Sequence, residues 1–137
     1  VTTPPAPDDR HAAVTAVVAD HPAVRLAVLY GSVAQGAAGP ESDLDLAVMG
    51  ERPLSAGETV ALVRALAHAT GRPVDLVDLR TVHGALLAEV LRTGTRLYEA
   101  DPTVYPSVLR RHLFDEADFR PYRDRILAER RRAWTDA

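Results

Sequence analysis

Two aspartates separated by one leucine, Asp43-Leu44-Asp45, open a stretch that turns wholly apolar as far as Met49. Side chains alternate along an extended strand, so the two carboxylates share one face while Leu44 and Leu46 take the other. About 7 Å apart along the strand, two carboxylates can share hard, oxygen-seeking cations such as Mg²⁺. A half-exposed strand with solvated acids shows the same pattern. Gly31-Ser32 follows directly on VRLAVLY (residues 24–30) and opens a stretch that reads as a short helix. Glycine allows close approach of a ligand to the backbone, and a helix N-terminus offers unsatisfied N–H groups to phosphate. The serine adds a hydroxyl donor. Gly-Ser at a strand exit is also an ordinary turn and cap. Asp75 is an acid inside the otherwise apolar PVDLVDL (73–79). It is either a third site acid or a strand-edge residue in water. Asp78 competes with it, but lies on the opposite face and can cap the turn that ends the strand, so Asp75 is the expected third acid.

These residues can act together only if the chain brings three strand ends to one place. Asp8 or Asp9 can cap a first helix running to about Asp20, with Val14, Val17 and Val18 on one side and His21-Pro22 ending it. VRLAVLY reads as a buried strand. A helix from about Ser32 and a turn at GPES (39–42) lead to a second strand, DLDLAVM (43–49), stopped by Gly50. Ser55 and Glu58 form an S-x-x-E capping box. The helix it opens has Leu62, Val63, Leu66 and Ala67 as its apolar stripe, with Gly71 and Pro73 ending it. PVDLVDL is a third strand. Val82, Leu86, Leu87, Val90 and Leu91 make a further helical stripe, closed by Gly94, and TRLYEA (95–100) a fourth strand. From Pro102 two helices are expected, divided near Pro121.

Strands separated by helices predict a layered α/β domain. Gly31 ends the first strand and Asp43 begins the second, so the two features meet only across an antiparallel pair. Asp75 begins the third strand after a full helical crossover, which returns the chain parallel to the second. All three features then gather at one edge of the sheet. Metal-holding acids beside a phosphate-holding helix end are what two-metal nucleotidyl transfer requires.

The remaining composition narrows the choices. A chain of 137 residues, 47% hydrophobic and 26% charged, suits one globular domain. Only 5% is aromatic, so Val, Leu and Ala must fill the core. The absence of cysteine excludes disulfides and cysteine-ligated zinc. No pair of its histidines has zinc-ligand spacing; His68 and His83 are expected on helices and His112 in the tail. All 16 basic residues are arginine, a pattern that GC-rich coding produces, and the net charge of −3 argues against direct nucleic-acid binding. Residues 110–137 hold eight of those arginines against six acids, a solvated helix face or a docking surface. No apolar run approaches the ~20 residues of a membrane span, and VTTPPAPDDR has no signal-peptide pattern. A cytoplasmic protein without membrane association is expected.

GSVAQGAAGPESDLDLAV fits a G-S-x10-D-x-D signature and resembles the polymerase-β nucleotidyltransferase superfamily. At ordinary residue frequencies a chance match arises on the order of once in several hundred chains of this length. The run of elements to about Glu99, with GRPVDLVDL as third strand, is similar to a minimal nucleotidyltransferase. LYEADP and the later FDEADFRPYRDRILAERR resemble the MntA-type antitoxins, which pair with HEPN-domain toxins of the HepT type. The resemblance implies a polymerase-β-like α/β fold: a mixed sheet of about four strands flanked by helices, with a C-terminal helical tail. The division it suggests is a leader over residues 1–7, a nucleotidyltransferase domain over 8–100 and a helical extension over 101–137. It further implies transfer of AMP from ATP to a tyrosine in the toxin's R-x4-H-x-Y ribonuclease motif, which silences the nuclease. Asp43 and Asp45 would hold metal, two Mg²⁺ ions with Mn²⁺ as an alternative. Asp75 would help bind the catalytic ion and activate the tyrosine hydroxyl. Gly31 and Ser32 would grip the phosphates, and Ser42 would support the metal loop.

Many relatives carry arginine or lysine soon after the Gly-Ser pair, where this chain has Val33 and Gln35. Arg52 is a candidate substitute, beside its reading as a solvated loop residue. No histidine lies five residues after an arginine, so the chain reads as the modifier and not the nuclease. Two alternatives stand beside this one. Nucleotide transfer to a small molecule, as in aminoglycoside nucleotidyltransferases, would need an extra acceptor lobe, and only about 38 residues follow the fourth strand. A non-catalytic antitoxin acting by occlusion would have no use for three site acids.

Overall fold

A four-stranded mixed sheet with helices on both faces organises the chain. The structure is a computed structural model that describes residues 9–31 and 43–114. The expected leader, the helix from Ser32, the GPES turn, Ser32, Val33, Gln35, Ser42 and the tail beyond residue 114 lie outside the described residues. In chain order the elements are α1 (Asp9–Ala19), β1 (Leu26–Tyr30), β2 (Leu44–Met49), α2 (Ala56–Thr70), β3 (Val74–Asp78), α3 (Gly84–Thr93) and β4 (Thr95–Glu99). A further helix, α4, covers residues 104–114. The sheet order is β3-β2-β1-β4.

β1 pairs antiparallel with β2, matching Tyr30 to Asp45, and antiparallel with β4 on its other side. β2 pairs parallel with β3, matching Asp45 to Asp75. The two expected pairings are therefore present. The C-terminal end of β1 and the N-terminal ends of β2, β3 and β4 lie along one edge of the sheet. β1 and β2 are central strands and read as nearly continuous apolar runs because both faces are covered.

Alternation distributes these strands over two cores. Ala27, Leu29, Leu44, Leu46 and Val48 pack with Val14 and Val18 of α1 and Leu62 and Leu66 of α2. Leu26, Val28, Tyr30, Ala47 and Met49 pack on the other side with Leu87, Val90 and Leu91 of α3 and Val104 and Val108 of α4. Each fully buried leucine contributes roughly 2 kcal/mol by burial. The beginning of the region after residue 101 is thus built into the second core through Val104 and Val108.

Local signals explain the helix limits. Ser55 caps α2 by accepting from the Glu58 N–H at 3.1 Å, and the Glu58 carboxylate returns a bond to the Ser55 N–H at 2.9 Å. Gly71 ends α2 in the left-handed conformation, φ +67°. Two expectations need correction. Leu86 is 37% exposed and does not belong to the buried stripe, since Leu87, Val90 and Leu91 already occupy the helix face turned to the sheet. His83 is the N-cap residue of α3, in extended conformation, and not a helix-interior residue.

Candidate active site

Asp43, Asp45 and Asp75 reach the same sheet edge by two different routes. Asp43 and Asp45 are two residues apart, one immediately before β2 and one inside it. Asp45 and Asp75 are register partners on neighbouring parallel strands, about 4.8 Å apart in backbone spacing. All three occupy the odd positions shared with Ala47, Met49 and Val77, the face covered by α3 and α4. Asp45 is half-buried, whereas Asp43 and Asp75 are exposed. β3 is an edge strand of the sheet, so Asp75 is open to solvent on one flank.

Gly31 stands against this group. Its φ of +74° lies in the left-handed region, and a Cβ built there would collide with the Asp45 carboxylate. Glycine thus does two things: it allows the turn out of β1 and leaves room for a carboxylate to sit over the backbone. Asp45 is consequently confined among strand, turn and neighbouring acids. Its carboxyl is held above the usual aspartate range by burial first, then by the charges of Asp75, Asp43 and Glu89. Tyr30, opposite Asp45 on β1 and 5% exposed, has its phenol pushed up to about 12 by burial and by Asp45, Asp75 and Glu89.

Several negative groups thus share one sheet end, and none of Asp43, Asp45 and Asp75 forms an ion pair among the described residues. Nor, among the described residues, do three acidic or histidine side chains close into a ready-made cation cage. The donor set nevertheless fits Mg²⁺. That ion prefers oxygen ligands and is usually bound by one or two carboxylates together with substrate phosphates. Asp45 and Asp75, side by side and without an ion pair among the described residues, would supply that partial shell.

Asp78 occupies a different environment. Its carboxylate accepts from the Leu54 N–H at 2.9 Å and the Arg80 N–H at 2.8 Å, tying the exit of β3 to the loop before α2. It faces away from Asp75 and is fully used as a turn cap. Arg52 must be withdrawn as a phosphate-binding candidate. It follows the C-terminal end of β2, at the sheet edge opposite the carboxylates, and its guanidinium donates to Glu58 at 2.8 Å. Sequence reasoning did not single out Tyr30 or Glu89. Tyr30 carried a signal, being the one residue with a polar tip at the end of VRLAVLY, directly before Gly31. Glu89 carried none beyond being the acid in an apolar helical stripe.

A mixed β3-β2-β1-β4 sheet with paired acids at the start of β2 and a glycine turn beside them defines a minimal nucleotidyltransferase. The chain belongs to the family described as polymerase beta, nucleotidyltransferase, whose model matches residues 13–103. A segment of 77 residues is 36% identical to the protein adenylyltransferase MntA of Shewanella oneidensis, covering 56% of this chain. The matched segment spans about half of that curated relative, 55% of its length. Among solved structures, a toxin-antitoxin complex with AMP-PNP is similar over 85% of this chain and 98% of its own, with TM-score 0.67 and 26% identity. The complex of a tri-AMPylated Shewanella oneidensis HEPN toxin with an MNT antitoxin has the same fold, at TM-score 0.63 and 23% identity over 86% of this chain and 96% of its own. Among the described residues no helix is long and apolar enough to cross a membrane.

Proposed function

We propose that this protein is an antitoxin that transfers AMP from ATP to a tyrosine of a HEPN-family ribonuclease toxin. The observation that supports the chemistry is the register match of Asp45 with Asp75 beside Gly31, which sets side by side two carboxylates without an ion pair among the described residues, an arrangement suited to a triphosphate-bound cation. The likeness to an adenylyltransferase and to a toxin-antitoxin complex with an ATP analogue supports the substrate and partner.

In this reading Asp43, Asp45 and Asp75 hold Mg²⁺, with Mn²⁺ able to replace it. When bound, the ions neutralise the phosphates and polarise the reacting phosphorus. Gly31 and Ser32 would grip the phosphates, and Ser42 would support the metal-holding segment. Asp75, the more exposed member of the register pair, faces the acceptor. It takes the phenolic proton as the tyrosine oxygen bonds to the α-phosphorus, the bond to the β-phosphate breaks and pyrophosphate leaves. A phenol with pKa about 10 needs such a base at neutral pH. The half-buried Asp45 stays in place as a ligand, backed by Gly31.

The site is tested by calorimetry of ATP binding with Mg²⁺, with Mn²⁺ and with EDTA. Affinity should be high with either cation and fall sharply in EDTA, where the carboxylates repel the triphosphate. Equal affinity in EDTA contradicts the assignment of Asp43, Asp45 and Asp75.

A further inference from the structure

A nucleoside triphosphate brings about four negative charges to a sheet end that already carries Asp43, Asp45 and Asp75. The stretch from Ser32 to Ser42 contributes no arginine, lysine or histidine. A cationic side chain that helps the metal ions hold the phosphates would therefore come from elsewhere in the chain. Most described arginines are committed or misplaced. Arg25 pairs with Glu51 and Asp101, Arg52 with Glu58, and Arg80 donates to the Gly50 carbonyl, all at the opposite sheet edge. Arg96 pairs with Glu99 and lies over the Tyr105 ring, and Arg111 donates to the Val82 carbonyl. Arg64 belongs to α2, on the other face of the sheet. Arg10 and the buried Arg72 are each engaged within the protein, and Arg110 adjoins Arg111, whose partner Val82 lies before α3, away from its C-terminal end.

Arg92 differs on every count. It lies in the last turn of α3, the helix that covers the carboxylate face. α3 ends where β4 begins, and Thr95 of β4 is matched to Leu29, one residue before Tyr30. The C-terminal end of α3 is thus at the active-site edge. Glu89, one turn earlier, already acts on both Asp45 and Tyr30 through its charge. Arg92 is three residues further on, a neighbour of Glu89 on the helix surface and about 4.5 Å nearer the edge along the axis. Its side chain is exposed and makes no ion pair or hydrogen bond among the described residues.

We infer that Arg92 binds the triphosphate of the nucleotide, taking the part that a basic residue after the Gly-Ser pair would otherwise play. The inference rests on the nucleotidyltransferase reading of the same site. A cation in a last helical turn also has an ordinary use, favourable interaction with the helix dipole, which affects stability and not ligand affinity. The two uses are separated by measuring both quantities on the same proteins. Wild type, Arg92→Gln and Arg92→Lys are titrated with ATP and with AMP in the presence of Mg²⁺, and their thermal midpoints are recorded. Arg92→Gln should weaken ATP binding by about tenfold or more, as expected for loss of a charge-assisted hydrogen bond. Its AMP affinity should change much less, and its midpoint should stay within a few degrees of wild type. Arg92→Lys should recover part of the ATP affinity, since the charge remains while the planar fork is lost. Unchanged ATP affinity in Arg92→Gln, or an equal loss for ATP and AMP, overturns the inference while leaving the nucleotidyltransferase reading intact. Failure of the wild type to bind ATP overturns both.

Discussion

Gly31 bears two constraints, a left-handed backbone and the Asp45 carboxylate in the space of its missing side chain. Gly31→Ala should cost about 1–3 kcal/mol in denaturant unfolding and displace Asp45, so that transfer falls by more than tenfold. A variant with wild-type stability and rate would show that the turn tolerates a Cβ. Asp75 and Asp78 separate by environment. Asp75→Asn should abolish transfer with little change in stability, because Asp75 is exposed and accepts no hydrogen bond among the described residues. Asp78→Asn should keep most of the transfer activity but lose about 1–3 kcal/mol, since it accepts from two backbone donors. Exchange of these outcomes would place the wrong face of β3 at the site.

The pH dependence of stability at Asp45 follows from its raised carboxyl. It holds its proton more tightly folded than unfolded. Its contribution is therefore fully present below the unfolded value of 3.8 and lost as pH rises through the folded one. At neutral pH its charge is a burden in metal-free protein. Asp45→Asn should accordingly raise the thermal midpoint in EDTA while abolishing transfer. A lower midpoint would mean that Asp45 is stabilised by partners other than a bound cation.

At the scale of elements, the helices and strands were legible wherever local chemistry spoke clearly. The Ser55–Glu58 capping box and Gly71 marked both ends of α2, and period-two alternation set Asp75 and Asp78 on opposite faces. The antiparallel β1–β2 and parallel β2–β3 pairings followed from requiring Gly31, Asp43 and Asp75 to meet. Strand ends came out one or two residues long, because Val24 is buried like a strand residue although β1 starts at Leu26. What sequence did not reveal depends on tertiary approach. The charge of Glu89 acts on Asp45 only because α3 packs on β1, and Leu86 is left outside the core by the rotation of that same helix. Ser55→Ala should lower stability by about 1 kcal/mol without altering transfer, as the cap lies at the sheet edge remote from the carboxylates. Chemical denaturation and transfer rates on the same preparation check this. A marked loss of transfer would show that the two edges are coupled.

For the whole molecule, Asp43 and Asp75 are exposed at one end of the sheet, where the proposed site would meet a folded acceptor. α4 carries Leu109, Leu113 and Phe114 at 38%, 61% and 64% exposure, so the carboxylate-bearing side of the protein is also apolar in places. The proposed activity of this chain is modification of a tyrosine of a HEPN toxin. The direct measurement is intact-mass analysis of that toxin after incubation with this protein, ATP and Mg²⁺, with peptide mapping of the modified residue. One or more added AMP groups are expected on tyrosine, absent with the Asp43→Asn/Asp45→Asn double variant and accompanied by loss of ribonuclease activity. An unmodified toxin that is still neutralised, by the double variant as well as the wild type, would contradict it and leave inhibition by binding alone.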